Sequence, residues 1–79
     1  MTFLIQISIG VYVNGLPVGF GIANKSLTIN DDTPTAEIDR ILNQETRSTV
    51  CEWIENEKSS LPQRKAMIIK PDAIAIVKL

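Results

Sequence analysis

The segment from Phe3 to Val13 alternates between apolar residues and polar or small ones. Its apolar positions are Phe3, Ile5, Ile7, Ile9, Val11 and Val13. Successive side chains of a strand point to opposite faces, so this period of two predicts a long strand with one buried face. Asn14-Gly15 follows, a pair favoured in two-residue type I′ turns because both central residues there adopt positive φ. The pattern therefore predicts an N-terminal β-hairpin whose second strand begins at Leu16.

The predicted turn also sets the register of the hairpin, because it places Val13 opposite Leu16. The pairs that follow on the same face are Val11 with Val18, Ile9 with Phe20 and Ile7 with Ile22. All of them are apolar, so the hydrophobic pattern supports this register independently of the turn. Further along, Leu27 and Ile29 fall on the opposite parity. We therefore expect a bulge or bend near Asn24-Lys25.

The other face of the predicted hairpin carries very little side chain, because its glycines and a serine oppose one another across the two strands. Glycine weakens the interior of a strand, so we expect that the sheet coils sharply here or that another backbone approaches it closely. A proline in the second strand falls at a non-hydrogen-bonded position, and its missing N–H predicts an edge strand there. These residues form a candidate interaction surface that consists of Ser8, Gly10, Tyr12, Pro17, Gly19 and Gly21.

A helix is predicted after the hairpin, with Thr33 as its N-cap and Pro34 at its first position. Its apolar stripe is Ile38, Ile41, Leu42, Val50, Trp53 and Ile54. The stripe is interrupted by polar residues, so either one helix of about 25 residues continues through, or two helices meet near Thr46–Thr49. In the second case Thr49 and Glu52 would form a capping box. The single helix is favoured.

The C-terminal segment from Ala66 to Leu79 predicts a second pair of strands. Pro71-Asp72 suits the central positions of a type I turn. From Ala73 to Val77 both parities are apolar, which predicts a central strand that is covered on both faces. The expected fold is a small α+β domain of order ββαββ that spans residues 1–79. It has an antiparallel sheet with an N-terminal hairpin, one long helix and a C-terminal strand pair.

The amino-acid composition excludes several classes of protein and several kinds of site. The 79 residues are 44% apolar and carry a net charge of −1, which argues against both a disordered chain and a protein that coats nucleic acid. One cysteine and no histidine exclude an internal disulfide, a His/Cys zinc site and the usual His-activated nucleophile within one copy. A chain of this length buries only about 60% of its unfolded surface. We therefore expect a homo-oligomer, without a cofactor or metal.

The favoured function is a small, non-catalytic protein–protein interaction module that self-associates and serves as an adaptor or inhibitor of a larger assembly. The alternative is a nucleic-acid-binding regulator that acts as a symmetric oligomer through a basic patch of Arg64, Lys65 and Lys70. An enzyme or ligand receptor with a site between copies ranks lowest, and its candidate carboxylates are Asp31, Asp32 and Asp72. The N-terminal apolar run alternates as signal peptides do not, and no segment is long enough to span a membrane. A cytoplasmic location is expected.

Overall fold

The computed structural model describes residues 1–58 and 67–79. Strands β1 (Thr2–Val13) and β2 (Leu16–Thr28) form the N-terminal hairpin, helix α1 (Thr35–Lys58) follows, and strand β3 (Met67–Lys78) ends the chain. The strands make one antiparallel sheet of order β2-β1-β3. The predicted α+β class and the hairpin are confirmed.

The core lies between one face of the sheet and α1. β1 supplies its centre, since Ile5, Ile7 and Ile9 are fully buried. The helix residues that pack against this centre are Ile38, Ile41, Leu42, Val50 and Trp53. We call this side of the sheet the helix face and the opposite side the open face. The predicted alternation of β1 therefore corresponds to burial beneath the helix.

The hairpin turn has the predicted conformation, but the register of the strands changes just beyond it. Asn14 and Gly15 have φ angles of 53° and 79°, as a type I′ turn requires. Val13 pairs with Leu16 and Tyr12 with Pro17, after which Val11 pairs with Gly19. Val18 is therefore an extra residue in a β-bulge, and the register predicted beyond Pro17 is wrong.

The bulge at Val18 exchanges the two faces of β2. Phe20 and Ile22 pair with Gly10 and Ser8, so they lie on the open face rather than in the core. The bulge predicted near Asn24-Lys25 is also misplaced, since the register shift has already occurred. Leu27 consequently pairs with Phe3 and packs against the core.

From Met67 onward the C-terminal segment is one strand instead of the predicted pair, so the element order of the described residues is ββαβ. β3 pairs with β1 from Met67 to Lys78, and Pro71 pairs with Ile9 while Ala73 pairs with Ser8. Asp72 is thus an extra residue in a second bulge, not part of a turn. Proline is tolerated in edge strands and at bulges. β3 is accordingly an edge strand with mostly exposed side chains, not the covered central strand that was expected.

The helix is continuous, as favoured, and begins one residue later than predicted, at Thr35. Its polar middle is explained by Thr46 and Thr49, which are both buried. Their hydroxyls donate to the carbonyl oxygens of Leu42 at 2.8 Å and Glu45 at 2.7 Å, one turn earlier. With the hydroxyls satisfied within the helix, threonine can be buried at low cost. Thr49 therefore lies within the helix and does not cap a second one.

Candidate interaction surface

The open face contains four of the six residues predicted to form an interaction surface, including Pro17, which pairs with Tyr12. Ser8, Gly10 and Tyr12 lie along β1 on this side of the sheet. Larger apolar side chains flank them on both neighbouring strands. The residues paired with them are Phe20 and Ile22 on β2 and Ile68, Lys70 and Ala73 on β3. Around Ser8 and Gly10 the open face is therefore a polar central strand with apolar side chains on both sides, rather than a bare glycine patch.

The other two predicted surface residues lie on the opposite side of the sheet. Gly19 and Gly21 are on the helix face, because the bulge shifts them there. The ring of Trp53 lies directly over Gly21, and a Cβ atom at this position would overlap it. Gly21 is thus explained by the close approach of a helix side chain, which is neither of the two causes expected from the sequence.

Gly10 is covered by two side chains of its own chain. The Tyr12 hydroxyl donates to the Asp72 carboxylate, 2.8 Å from each carboxylate oxygen. A Cβ atom at Gly10 would lie 2.6 Å from the Tyr12 ring and would also collide with Asp72. This hydrogen bond, together with the negative charge of Asp72, raises the pKa of Tyr12 above its ordinary value. Tyr12 and Asp72 therefore form a bridge between β1 and the bulge of β3.

One residue of the predicted basic patch lies in the described part of the chain. The Lys70 ammonium is 4.9 Å from the centre of the Tyr12 ring, a distance that fits a cation–π interaction. Arg64 and Lys65 lie outside the described residues. Lys70 thus joins the Tyr12–Asp72 bridge, and residues 1–58 and 67–79 provide no observation that favours a nucleic-acid interface.

The candidate carboxylates are distributed along the molecule. Asp31 accepts a hydrogen bond from the Met1 amine at 2.6 Å, and this contact lowers the pKa of Asp31. Asp32 is exposed in the adjacent turn. Asp72 lies beside Gly10, about 30 Å away along β1 at 3.3 Å per residue. One copy therefore does not bring the three together, and residues 1–58 and 67–79 contain no cluster of acidic or thiol groups that could hold a metal ion.

The exposed side of α1 has a shallow depression of about 570 Å³ lined by Arg40, Asn43, Gln44, Arg47, Ser48 and Cys51. The guanidinium of Arg40 is bound to Glu37 and Gln44, and the ion pair lowers the pKa of Glu37. Cys51 is a free, exposed thiol. The depression is therefore a polar surface whose functional groups do not point to one common position.

No helix among the described residues combines the length and apolar character needed to cross a membrane.

Hydrogen bonds at the strand ends show which backbone groups point away from the sheet. The N–H of Leu79 donates to the Thr2 carbonyl and that of Ile29 to the Met1 carbonyl, both at 2.9 Å. Residues that face each other alternate between hydrogen-bonded and non-bonded pairs in an antiparallel ladder. Counting along the two registers, the outward-pointing N–H and C=O groups belong to Phe20, Ile22, Asn24, Ser26 and Thr28 on β2, and to Ile74, Ile76 and Lys78 on the C-terminal half of β3.

Sequence reasoning missed Trp53 as the partner of Gly21 and missed the exposed outer edge of β3. The parity of Leu27 and Ile29 did signal a register shift, but the same signal fits a bulge at any position upstream. Burying Phe20 and Ile22 satisfied the hydrophobic pattern of the hairpin taken alone. The position of the helix, which the local pattern does not contain, decides against that arrangement.

Comparison of the chain with protein-family models, with curated proteins and with solved structures gave no match. The fold and the surfaces described above are therefore the basis for assigning a function.

Proposed function

We propose that this chain is a small, non-catalytic protein-interaction module that associates with itself. The observation that carries the proposal is the exposure of large apolar side chains on both outer strands. Phe20 is 84% exposed, and Ile74 and Val77 are each 50% exposed. The other large apolar residues in this exposed set are Leu16, Val18, Ile22, Ile68, Ile76 and Leu79. Apolar surface of this extent is typical of sites that bind another macromolecule.

The free energy available from burying these exposed side chains indicates a reversible association. Full burial of an Ile or Val side chain contributes about 1.5–3 kcal/mol. Ile74, Ile76 and Val77 are about half exposed, so burying the remainder in two copies would contribute about 5–9 kcal/mol. Association itself costs about 4–15 kcal/mol in lost freedom of motion. Since the two quantities are comparable, we expect a complex that forms with increasing concentration rather than a permanent one.

A binding role also fits the polar groups of the described residues. Asp72 is held by Tyr12 and Arg40 by Glu37, so these groups support the fold or the surface. An adaptor or an inhibitor of a larger assembly needs a shaped surface rather than a reactive centre. The exposed thiol of Cys51 stays reduced in the cytoplasm, where we expect the protein to act.

Sedimentation equilibrium across the micromolar range tests the proposal. We expect the average mass to rise with concentration from the 8.7 kDa of one chain towards a multiple of it. The Cys51→Ser variant is the control, since its mass must behave in the same way if disulfide formation plays no part. A mass that stays at one chain up to the highest concentrations would contradict self-association.

A further inference from the structure

The segment Ala73–Val77 of β3, here called the β3 edge segment, is apolar at every position. Such a pattern is typical of a strand that is covered on both sides by other parts of a protein. In the single chain this segment nevertheless forms an outer edge of the sheet and its residues are exposed. Within the described residues, β3 pairs with β1 alone. Because the segment is an edge without charge or proline, its outward-pointing N–H and C=O groups on Ile74 and Ile76 are available to pair with a further strand.

The opposite edge of the sheet is protected against such pairing. The second residue of β2 is Pro17, which lacks an N–H group, and the bulge at Val18 disturbs the strand's backbone. The C-terminal half of β2 then contains the polar residues Asn24, Lys25 and Ser26. Proline, bulges and lysine are the features that keep natural edge strands from pairing. The β3 edge segment has none of them between the bulge at Asp72 and Lys78.

We infer that the β3 edge segment pairs antiparallel with the same segment of a second copy. This inference rests on the proposed self-association and names the surface that carries it. The register is set by the outward-pointing groups, since Ile74 of one copy and Ile76 of the other can exchange both N–H···O bonds. The two-fold axis then passes between the Ala75 residues of the two copies. Each residue of the segment lies opposite a residue of the same segment in the second copy.

This register places apolar residues opposite one another on both faces of the joined sheet. On the helix face Ile74 lies opposite Ile76 of the second copy, and on the open face Ala73 lies opposite Val77. The two sheets join into one of order β2-β1-β3-β3-β1-β2, with both helices on the same face. β3 thereby becomes a central strand of the joined sheet, paired along both of its edges.

A cysteine on the two-fold axis tests the contact directly. In a Cys51→Ser background, Ala75→Cys places two thiols in a non-hydrogen-bonded pair, where Cα atoms are about 4.5 Å apart, within the range of a disulfide. We expect mild oxidation to give a disulfide-linked dimer of this variant. Ser26→Cys in the same background is the matched control, because it is exposed at the β2 edge and is expected to stay monomeric on a non-reducing gel.

A second variant removes an intermolecular donor and leaves the sheet of each copy intact. Ile74→Pro deletes an N–H that points away from β1, a position at which edge strands accept proline. We expect the dimer dissociation constant to rise about tenfold or more. Ile74→Ala keeps the N–H and shows how much of that rise comes from the lost side chain. Ser26→Pro makes the same backbone change on β2 and is expected to leave the dissociation constant unchanged.

The results separate this inference from the proposed function. If the wild type associates, yet Ala75→Cys forms no cross-link and Ile74→Pro associates normally, the β3 contact is wrong while self-association stands. If the wild type stays monomeric, both are wrong. Should Ile74→Pro fail to fold by circular dichroism, the cross-link alone decides, since Ala75→Cys changes one exposed small side chain.

Discussion

The two outer strands have the same neighbour, β1, but different relations to the rest of the molecule. Each contains one bulge, at Val18 in β2 and at Asp72 in β3. In β2 the bulge brings Gly21 beneath Trp53 and so attaches the strand to the helix. In β3 the helix-face residues Ile74 and Ile76 stay about half exposed. The same ladder geometry therefore gives one outer strand that the helix holds through Gly21 and one whose helix-face residues stay half exposed.

Single-residue deletions in β2 test whether Val18 is the extra residue of the bulge. Deleting Val18 removes the extra residue of the bulge and leaves every pair from Gly19 onward in place. We therefore expect the free energy of unfolding to fall by about 1 kcal/mol. Deleting Ile22 reverses the faces of the residues on one side of it, including buried Ala23. For this deletion we expect the free energy of unfolding to fall by more than about 4 kcal/mol.

Urea denaturation at one protein concentration measures both deletions, through the midpoint and slope of each transition. Equal losses for the two variants would show that Val18 is not the residue at which the strand accommodates the shift.

A smaller effect is expected from the glycine that connects β2 to the helix. Gly21→Ala forces a Cβ atom into the ring of Trp53, and such overpacking costs about 1–3 kcal/mol. Gly19→Ala is the matched control, because the nearest atom to its Cβ would be Val11 Cβ at 3.9 Å. For Gly19→Ala we expect the free energy of unfolding to stay unchanged or to rise by about 0.5 kcal/mol, because alanine makes the unfolded chain less flexible. Thermal denaturation of the two variants compares them, and equal loss would remove Trp53 as the cause.

The mildest change concerns the bulge of β3, where Asp72 holds the hydroxyl of Tyr12. Because the chain has one tyrosine, an ultraviolet pH titration reads this residue alone. Asp72 raises the pKa of Tyr12, so we expect Asp72→Ala to lower it towards the ordinary value of about 10. Asp32→Ala is the control, since Asp32 is in the turn before α1 and is expected to leave the titration unchanged.

The direction of the pH effect follows from the same shift. With its pKa raised in the folded state, Tyr12 holds its proton more tightly there than in the unfolded chain. The stability contributed by the bridge is fully present below about pH 10 and is lost as the pH rises through the folded pKa. An Asp72→Ala variant with an unchanged tyrosine titration would contradict the bridge.

The difference between β2 and β3 also explains what could be predicted from the sequence. The period of two in β1 and the Asn14-Gly15 turn are local signals, and both were predicted correctly. The faces of Phe20 and Ile22 depend on a helix that is distant in the sequence, so the hairpin pattern alone assigned them wrongly. Pro71-Asp72 fits a turn and a bulge equally well, and the length of β1 available for pairing decides between them.

The candidate surface could be predicted less well than the fold. Ser8, Gly10 and Tyr12 do share the open face, but Gly19 and Gly21 left it when the register shifted. The apolar pattern of Ala73–Val77 indicated a strand covered on both faces, whereas β3 is an exposed edge. The proposed contact follows from the lack of charge and proline along this edge.

Amide hydrogen exchange of the wild-type protein tests the central claim most directly, because it reads the outward-pointing N–H groups themselves. At concentrations where the chain associates, we predict that Ile74 and Ile76 are protected as strongly as their neighbour Ala75, whose N–H bonds to β1. The amides of Asn24 and Ser26, which point outward from β2, are predicted to exchange rapidly at every concentration. Exchange of Ile74 and Ile76 as fast as that of Asn24 and Ser26, at the highest concentration, would contradict the pairing of β3 between copies.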